Sequence, residues 1–540
     1  MTGQYDVIIV GAGAGGGVAA GVLAQAGKRV LLIERGRQLS FDEVGRDHLR
    51  NQRLSQYGHN VGPDIDGNPR TLEDGRTVRP HEGGYQNNAA TVGSGTRVYG
   101  AQAWRFMPQD FRMASIYGVP EGSSLADWPI TYETLAPYYE KAEWGIGVCG
   151  DHQAMTHLPG YERPYPMPPM SPSLQAQTFR RGLDALGWQK LPVPLLINSQ
   201  PYNDRPACTR CQHCVGFACP VDAKNGTLNT MIARALDSGN CTLVTEAMVE
   251  RILTDSSGHV TGVSYFDHDQ QRIEAQAEVV VLSAGAVETA RLLLNSATTQ
   301  EPNGIGNNGD QVGRHLQGHT YPRAIGLFPE PVQDWLGPGA STATCQFNHE
   351  NDGIVGGGML ADEFIVLPII FWKRLLPPDL PKWGAANKQF MRDNYRRVSD
   401  IAGPVHEIPS PDARVSLDPA VKDRYGLPVA HFSGLTHPET QRTAAFMLER
   451  AVEWQKAAGA VKVWTNTIRP ALSGGQHQSG TARMGDDPAT SVVDKWCQVH
   501  GHDNLYVADG SVHVTNGGFN PVLTIMALAW RTAEHIAEVW

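Results

Sequence analysis

The 540-residue sequence predicts an α/β fold: a discontinuous Rossmann-like nucleotide-binding domain with an inserted, mostly β substrate-binding domain. Three observations carry this reading. A glycine-rich strand, turn and helix open the chain. Strand, turn and helix patterns return in the middle and near the carboxy-terminal end. The stretch between those returns is rich in aromatic residues and proline.

The opening unit is "YDVIIVGAGAGGGVAAGVLAQAGKRVLLIERG". Asp6 to Val10 reads as a short apolar strand, Ala19 to Ala26 as a helix, and Arg29 to Ile33 as a second strand that ends at Glu34. Gly11, Gly13 and Gly16 follow the spacing G-x-G-x-x-G. The first glycine permits a tight turn, the second lets backbone approach a pyrophosphate, and the third allows close helix–strand packing. The helix amino terminus then favours the anion. Glu34 stands where an acid binds ribose hydroxyls. The unit predicts a dinucleotide and does not by itself separate NAD from FAD.

From Glu34 to about Thr91 the chain is polar and turn-rich. "GPDIDGNPRTLEDGRTVRPHEGG" has little periodicity and reads as a long surface excursion, the kind that forms a lid or an interface arm. Thr91 to Phe106, "TVGSGTRVYGAQAWRF", is a second glycine-bearing stretch. "YETLAPYYEKAEWGIGV" reads as a helix and "YERPYPMPPMSPS" as a proline-rich connection. Apolar strands return from Cys241 to Leu253 and from Glu278 to Ser283, and "SAGAVETARLLLNS" reads as a turn and a helix. From about Gln317 to Trp464 the expectation is mostly β, with strands in "YPRAIGLF" and "DEFIVLPIIFW"; between them "FNHENDGIVGGGM" has few anchors and is expected to be mobile. The end of the chain, from "NLYVADGS" onward, is again strand, turn and helix.

Composition narrows the function classes. The chain is 41% hydrophobic and 19% charged, as in ordinary soluble proteins, with a net charge of −10 and a pI near 6.0. An acidic surface repels phosphate backbones, which argues against nucleic acid as a partner. No run of 18 apolar residues suggests a membrane span, and no export signal precedes Tyr5, so the expected location is the cytoplasm.

Two stretches carry possible chemistry of their own. "SGGQHQSGTARMG" sets His477 in a loop of small residues, where backbone can come close to a ligand and an imidazole can titrate near neutral pH. "CTRCQHCVGFACP" places Cys208, Cys211, Cys214 and Cys219 in the spacing C-x2-C-x2-C-x4-C-P. That is close to a bacterial ferredoxin run, which has three residues before its last cysteine. An iron–sulfur cluster, a zinc site and disulfides are all compatible with the spacing; the expectation is a metal-free loop.

Taken together, "VGAGAGGG" with Glu34, "VGSGTRVYGAQAWRF", "SAGAVETARLLL", "HQSGTARMG" and "NLYVADGSVHVTNGGFNPVLTIMALA" resemble the glucose–methanol–choline (GMC) family of flavoprotein oxidoreductases. The resemblance implies FAD rather than NAD, in an FAD-binding domain made of 1–110, 205–316 and 465–540. The substrate domain and connections would then be 111–204 and 317–464. It is nearest to the sugar-oxidising branch of pyranose oxidases, bacterial glycoside 3-oxidases and FAD glucose dehydrogenases, because "HQSGTARMG" and "FNPVLTI" pair a histidine with an asparagine.

Carried onto this sequence, the resemblance makes His477 the catalytic base and Asn520 its partner at the substrate oxygen. Asn520 and Pro521 also read as the cap and first residue of a helix whose free N–H groups would favour an anionic reduced flavin. Implied cofactor contacts are Gly11, Gly13, Gly16, Glu34 and Arg35 in the first block, and Gly93, Gly95 and Thr96 in the second. Val249, Asp509, Gly510, Pro521 and Val522 complete them. Some sugar oxidases bond a histidine of the second block covalently to the flavin. Here that position is Val98, which has no nucleophile, so non-covalent FAD is expected.

The expected activity is oxidation of a secondary ring hydroxyl, at carbon 2 or 3 of a sugar or glycoside, to a ketone. Electrons would pass to oxygen or a quinone-type acceptor. Two alternatives stand beside it: an iron–sulfur-containing FAD sugar dehydrogenase subunit that feeds a partner, and an FAD-containing lyase with no redox step. The stretches Glu73 to Gly93 and Gln346 to Ile354 are expected to act as lids that favour glycosides over free glucose.

Overall fold

The computed structural model describes residues 5–45, 68–80, 82, 84–85, 88–159, 163–363, 367–475 and 477–540. Much of the polar excursion after Glu34, including 46–67, lies outside the described residues.

A seven-stranded sheet organises the first body. Its parallel part runs in the order Cys241–Val244, Val30–Ile33, Tyr5–Val10 and Arg272–Leu282, and Leu505–Val507 pairs with the far side of the last of these. Val7 lies opposite both Val30 and Val279, and Val280 opposite Leu505. Strands covered on both faces read as continuous apolar runs, which is why "VIIV", "VLLI" and "VVVL" are legible. Val260–Phe266 and Met248–Thr254 extend the sheet as antiparallel strands.

The helix after the first strand spans Ala14–Gln25, starting five residues before the sequence pattern suggested. Glycine, a poor helix former, fills much of its first turn and hides the start. Contact demands those glycines. A Cβ on Gly15 would lie 1.7 Å from the Ala508 carbonyl oxygen, and one on Gly17 would lie 2.5 Å from Thr227 Cβ. The helix is therefore clamped between the last part of the chain and the segment before the helix Met231–Asp237.

A six-stranded sheet organises the second body. Its order is Lys462–Thr465, Arg323–Leu327, Val398–Ala402, Leu360–Asp362, Thr342–Thr344 and Leu191–Pro192. Helices Leu174–Leu186 and Pro438–Ala457 cover it with Phe179, Leu183, Met447 and Trp454, packed on Ala324, Leu360 and Ile401. Trp454 is fully buried and donates its indole N–H to the Phe179 carbonyl at 2.8 Å. Its truncation to alanine would cost about 3–5 kcal/mol. A four-stranded sheet joins Arg414–Lys422 and Pro428–Ser433 to the early strands Arg70–Leu72 and Thr77–Val78.

The second half of one expected strand is helical instead. The strand Leu360–Asp362 ends on the first residue of "DEFIVLPIIFW", 364–366 lie outside the described residues, and Pro368–Ile370 opens a helical turn that continues as Phe371–Leu375. Pro368 has no N–H to give a sheet ladder and suits the first position of a helix. Among the described residues, no helix is long and apolar enough to cross a membrane.

Candidate active site

One cavity of about 980 Å³ runs from the first glycine turn to the His477 loop. Gly11, Gly13, Glu34 and Arg35 line one end. Gly95, Thr96 and Val249 line its flank, and Asp509, Gly510, Pro521, Val522, His477 and Asn520 line the rest of the proposed set. Gly16 and Gly93 stand behind the wall. A Cβ on Gly16 would lie 1.9 Å from the Gly11 carbonyl oxygen, and Gly93, at φ 85°, donates its N–H to the Ala12 carbonyl at 2.8 Å. Both shape the loops that do touch the space.

The nucleotide end is built from unpaired backbone. Gly13 caps the first helix without a side-chain hydrogen bond, and no acid sits in its first turn. Its first N–H groups and the positive end of the helix dipole meet the cavity at Gly13, Ala14 and Gly15. Glu34 accepts from the Ala12 N–H at 3.0 Å and the Gly36 N–H at 2.8 Å, and burial raises its pKa. Each carboxylate oxygen thus keeps accepting capacity for a ligand hydroxyl.

Arg35 belongs to a buried ion cluster missed in the sequence. Glu288 lies 3.4 Å from Arg35, 2.8 Å from Arg70 and 3.3 Å from Arg291, and Arg291 lies 2.6 Å from Asp423. Burial opposes the Glu288 charge, but the arginines outweigh it and hold the carboxyl well below its usual range. The one available signal was the i,i+3 pair Glu288 and Arg291 in "SAGAVETARLLL". Asp509 is satisfied from within the chain. It accepts from the Gly285 N–H at 2.9 Å, the Thr289 hydroxyl at 2.6 Å and the Ser511 N–H at 2.8 Å, and it also pairs with the Ser511 hydroxyl. It braces the turn that brings Gly510 to the cavity.

These residues fit FAD. The glycine turn, the exposed helix start, an acid for ribose and a cavity of dinucleotide size occur together. Val98, also on the cavity wall, offers no atom for a covalent link.

At the other end, His477 is held through its backbone, where its carbonyl accepts from Asn516 Nδ2 at 2.7 Å. Its Nδ1 lies 2.8 Å from His319 Nδ1 and 3.3 Å from the Tyr321 hydroxyl. Asn520 does not cap the final helix, which spans Val522–Val539 with Pro521 at its cap. Its Nδ2 instead donates to the Tyr321 hydroxyl at 3.4 Å, and its buried Oδ1 has no partner among the described residues. An unpartnered buried amide oxygen costs about 1–3 kcal/mol unless a ligand satisfies it.

His319, Tyr321 and Arg323 alternate along extended chain, so all three reach the cavity. Arg323 pairs with Asp400, lies 3.7 Å from Glu363, and has its N–H bound to Asn466 Oδ1 at 2.8 Å. This outer chamber is a polar floor of both charge signs. The period-2 pattern of "HTYPR" carried it, unread.

The two expected lids differ in outcome. In the first stretch, Pro80, Glu82, Tyr85 and Asn88 to Ala90 line the cavity, while 81, 83, 86 and 87 lie outside the described residues. The second is corrected: nothing from Gln346 to Ile354 lines the cavity, and Asn348 and His349 are buried. His349 Nε2 lies 3.2 Å from Asp110 Oδ1, which also takes His406 Nε2 at 2.5 Å, and His349 Nδ1 meets the Tyr117 hydroxyl at 3.0 Å. These are hydrogen-bond distances, and they pin the loop instead of freeing it. The segment that does reach the chamber includes Leu367, Ile370, Arg374 and Leu375.

Cys208, Cys211, Cys214 and Cys219 are free thiols. Among the described residues their sulfurs do not converge as a metal-ligand set. Lys224 holds their loop by donating to the carbonyls of Tyr99 at 3.2 Å, Cys214 at 2.6 Å and Phe217 at 2.9 Å.

Comparison with known proteins agrees with this geometry. Residues 129–321 and 409–529 match models described as GMC oxidoreductase, and residues 4–56 match an FAD binding domain. The chain is 30% identical to the fructose dehydrogenase large subunit of Gluconobacter japonicus, over 98% of this chain and 97% of that one. It is 31% identical to the 6'''-hydroxyparomomycin C oxidase of Streptomyces lividus, over 99% of this chain and 91% of that one. The structure of pyridoxine 4-oxidase from Mesorbium loti superposes with a TM-score of 0.66 at 18% identity, covering 98% of this chain and 99% of that one.

Proposed function

The chain belongs to the GMC oxidoreductase family of FAD enzymes, and on that premise we propose that it oxidises a secondary ring hydroxyl, at carbon 2 or 3 of a sugar or glycoside, to a ketone. One observation carries the reading: an imidazole, His477, and an amide oxygen with no partner among the described residues, that of Asn520, share one end of a cavity whose other end is a nucleotide cradle. The polar outer chamber of Arg323, Asp400, Glu363 and Asn466 supports a substrate with many hydroxyls. So do the names of two relatives, a fructose dehydrogenase and a 6'''-hydroxyparomomycin C oxidase.

Bound FAD supplies the hydride acceptor. Gly11, Gly13, Glu34, Thr96 and Gly510 would hold it without a covalent bond, Val98 being inert. His477 takes the proton of the reacting hydroxyl, a task worth typically ~10²–10⁴-fold. Asn520 holds the same oxygen, and fixing that oxygen aligns the carbon–hydrogen bond. Electrons leave to oxygen or a quinone-type acceptor. The central sheet supports 1–110, 205–316 and 465–540 as the cofactor domain, with 111–204 and 317–464 over it. The free state of all eight cysteines supports a reducing compartment, the cytoplasm.

The test is anaerobic mixing with a panel of sugars and glycosides while the flavin spectrum is followed. Bleaching by a pyranoside, with a keto product at carbon 2 or 3, is expected. A flavin that bleaches only with non-carbohydrate alcohols would refute the substrate class, and one that no alcohol bleaches would refute the reaction.

A further inference from the structure

We propose that His319 is a positioning residue that fixes the tautomer of His477, keeping the proton on Nδ1 and the lone pair on Nε2. The inference rests on the reading of His477 as base and follows from counting donors and acceptors. His319 Nε2 lies 2.9 Å from the Gly517 carbonyl oxygen and 3.1 Å from that of Asn516. Carbonyl oxygens only accept, so this nitrogen must carry a proton. The ring is partly buried, and its loss of solvation pushes its pKa down to about 4, so a neutral His319 has no second proton. Its Nδ1 is then an acceptor, and what faces it at 2.8 Å is Nδ1 of His477. His477 must donate there, and a neutral imidazole protonated on Nδ1 has its basic lone pair on Nε2.

The surroundings agree. The two rings stand nearly perpendicular, at 83° with centroids 5.0 Å apart, so the contact runs edge to edge through the nitrogens and not by stacking. The Tyr321 hydroxyl, 3.3 Å from His477 Nδ1, can also accept that proton. The titratable groups facing His319 are His477, Tyr321, Asp110, His406 and His513, and the last three are bound to partners of their own. The Asn516 amide holds the His477 carbonyl while the Asn516 carbonyl takes the His319 proton, so one residue fixes both rings.

The experiment uses the full-length, FAD-loaded protein with ¹⁵N-labelled histidine. Ring-nitrogen shifts of the neutral His477, assigned by their loss in His477→Gln, are expected to show a protonated Nδ1 and a bare Nε2. A neutral His477 protonated on Nε2 would overturn the proposal. This readout needs no substrate, so it stays distinct from the base reading, which fails only if His477→Ala reduces its flavin at the normal rate. A second arm compares His319→Leu with His319→Gln, whose amide offers both an acceptor and a donor. The leucine variant is expected to slow anaerobic flavin reduction at least about tenfold and to displace the pH profile, since a base held in the wrong tautomer loses its lone pair at the substrate. The glutamine variant is expected to recover most of the rate and the original profile. Equal losses in both variants at wild-type FAD content would count against tautomer control.

Discussion

The Tyr321 hydroxyl lies 3.4 Å from Asn520 Nδ2 and 3.3 Å from His477 Nδ1, so one phenol links the two groups assigned to the substrate oxygen. Tyr321 comes from the extended segment that leads into the strand Arg323–Leu327, whereas His477 and Asn520 come from two separate loops more than a hundred residues away in sequence. Tyr321→Phe keeps the ring and removes the link. Flavin reduction should fall about three- to tenfold, the worth of one hydrogen bond, with FAD content and Tm close to wild type. Stopped-flow reduction rates check this; an unchanged rate would show that the link is idle.

His477→Ala should retain FAD, because the cradle is built from other segments. Flavin reduction should slow by at least ~10²-fold, in line with a lost general base. A normal rate in the loaded variant would assign proton removal elsewhere.

Glu288 holds together three arginines at the nucleotide end. Glu288→Gln leaves them facing one another with the buried Asp423 as counter-charge. Loss of one partner from such a cluster costs about 3–5 kcal/mol, so Tm should drop by several degrees and FAD should be retained poorly on dialysis. The reading is wrong if both quantities stay at their wild-type values.

Glu407 tests the pH dependence. Burial raises its pKa from 4.5 to about 7, against bonds from Ser473 and the Gly318 N–H, and its Oε1 has no partner among the described residues. The folded state therefore holds this proton more tightly than the unfolded chain does. Its stabilising contribution is complete below about pH 4.5 and is lost progressively as pH rises toward 7. Glu407→Gln cannot ionise, so its Tm relative to wild type should improve steadily between those values. A difference that stays flat with pH would mean that the carboxyl is ionised throughout.

Legibility in the sequence followed the range of the interactions. The glycine turn, Glu34 and the apolar strands could be read because each is a local device. The His477 loop and the "FNPV" segment were readable through the family blocks. His319, Tyr321 and Arg323 were not, since they meet the His477 loop only when a segment some 150 residues distant in sequence folds across the cavity from it. Asn520 looked like a helix cap because sequence shows the helix and not the phenol across the cavity. The stretch Gln346 to Ile354 looked loose because its anchors, Asp110 and Tyr117, lie more than two hundred residues away.

The contact between Gly15 and the Ala508 carbonyl has a consequence for how the protein is made. The helix Ala14–Gln25 cannot find its seat until the strand Leu505–Val507 has emerged, several hundred residues later. The final helix, Val522–Val539, which buries Leu523, Met526 and Ala527, arrives later still. The glycine turn must wait for this contact while the segments between are made. Contacts of such sequence separation close slowly. The nascent chain is thus exposed to aggregation until this segment is out, and removing 505–540 should abolish FAD uptake even with every glycine of the G-x-G-x-x-G motif in place.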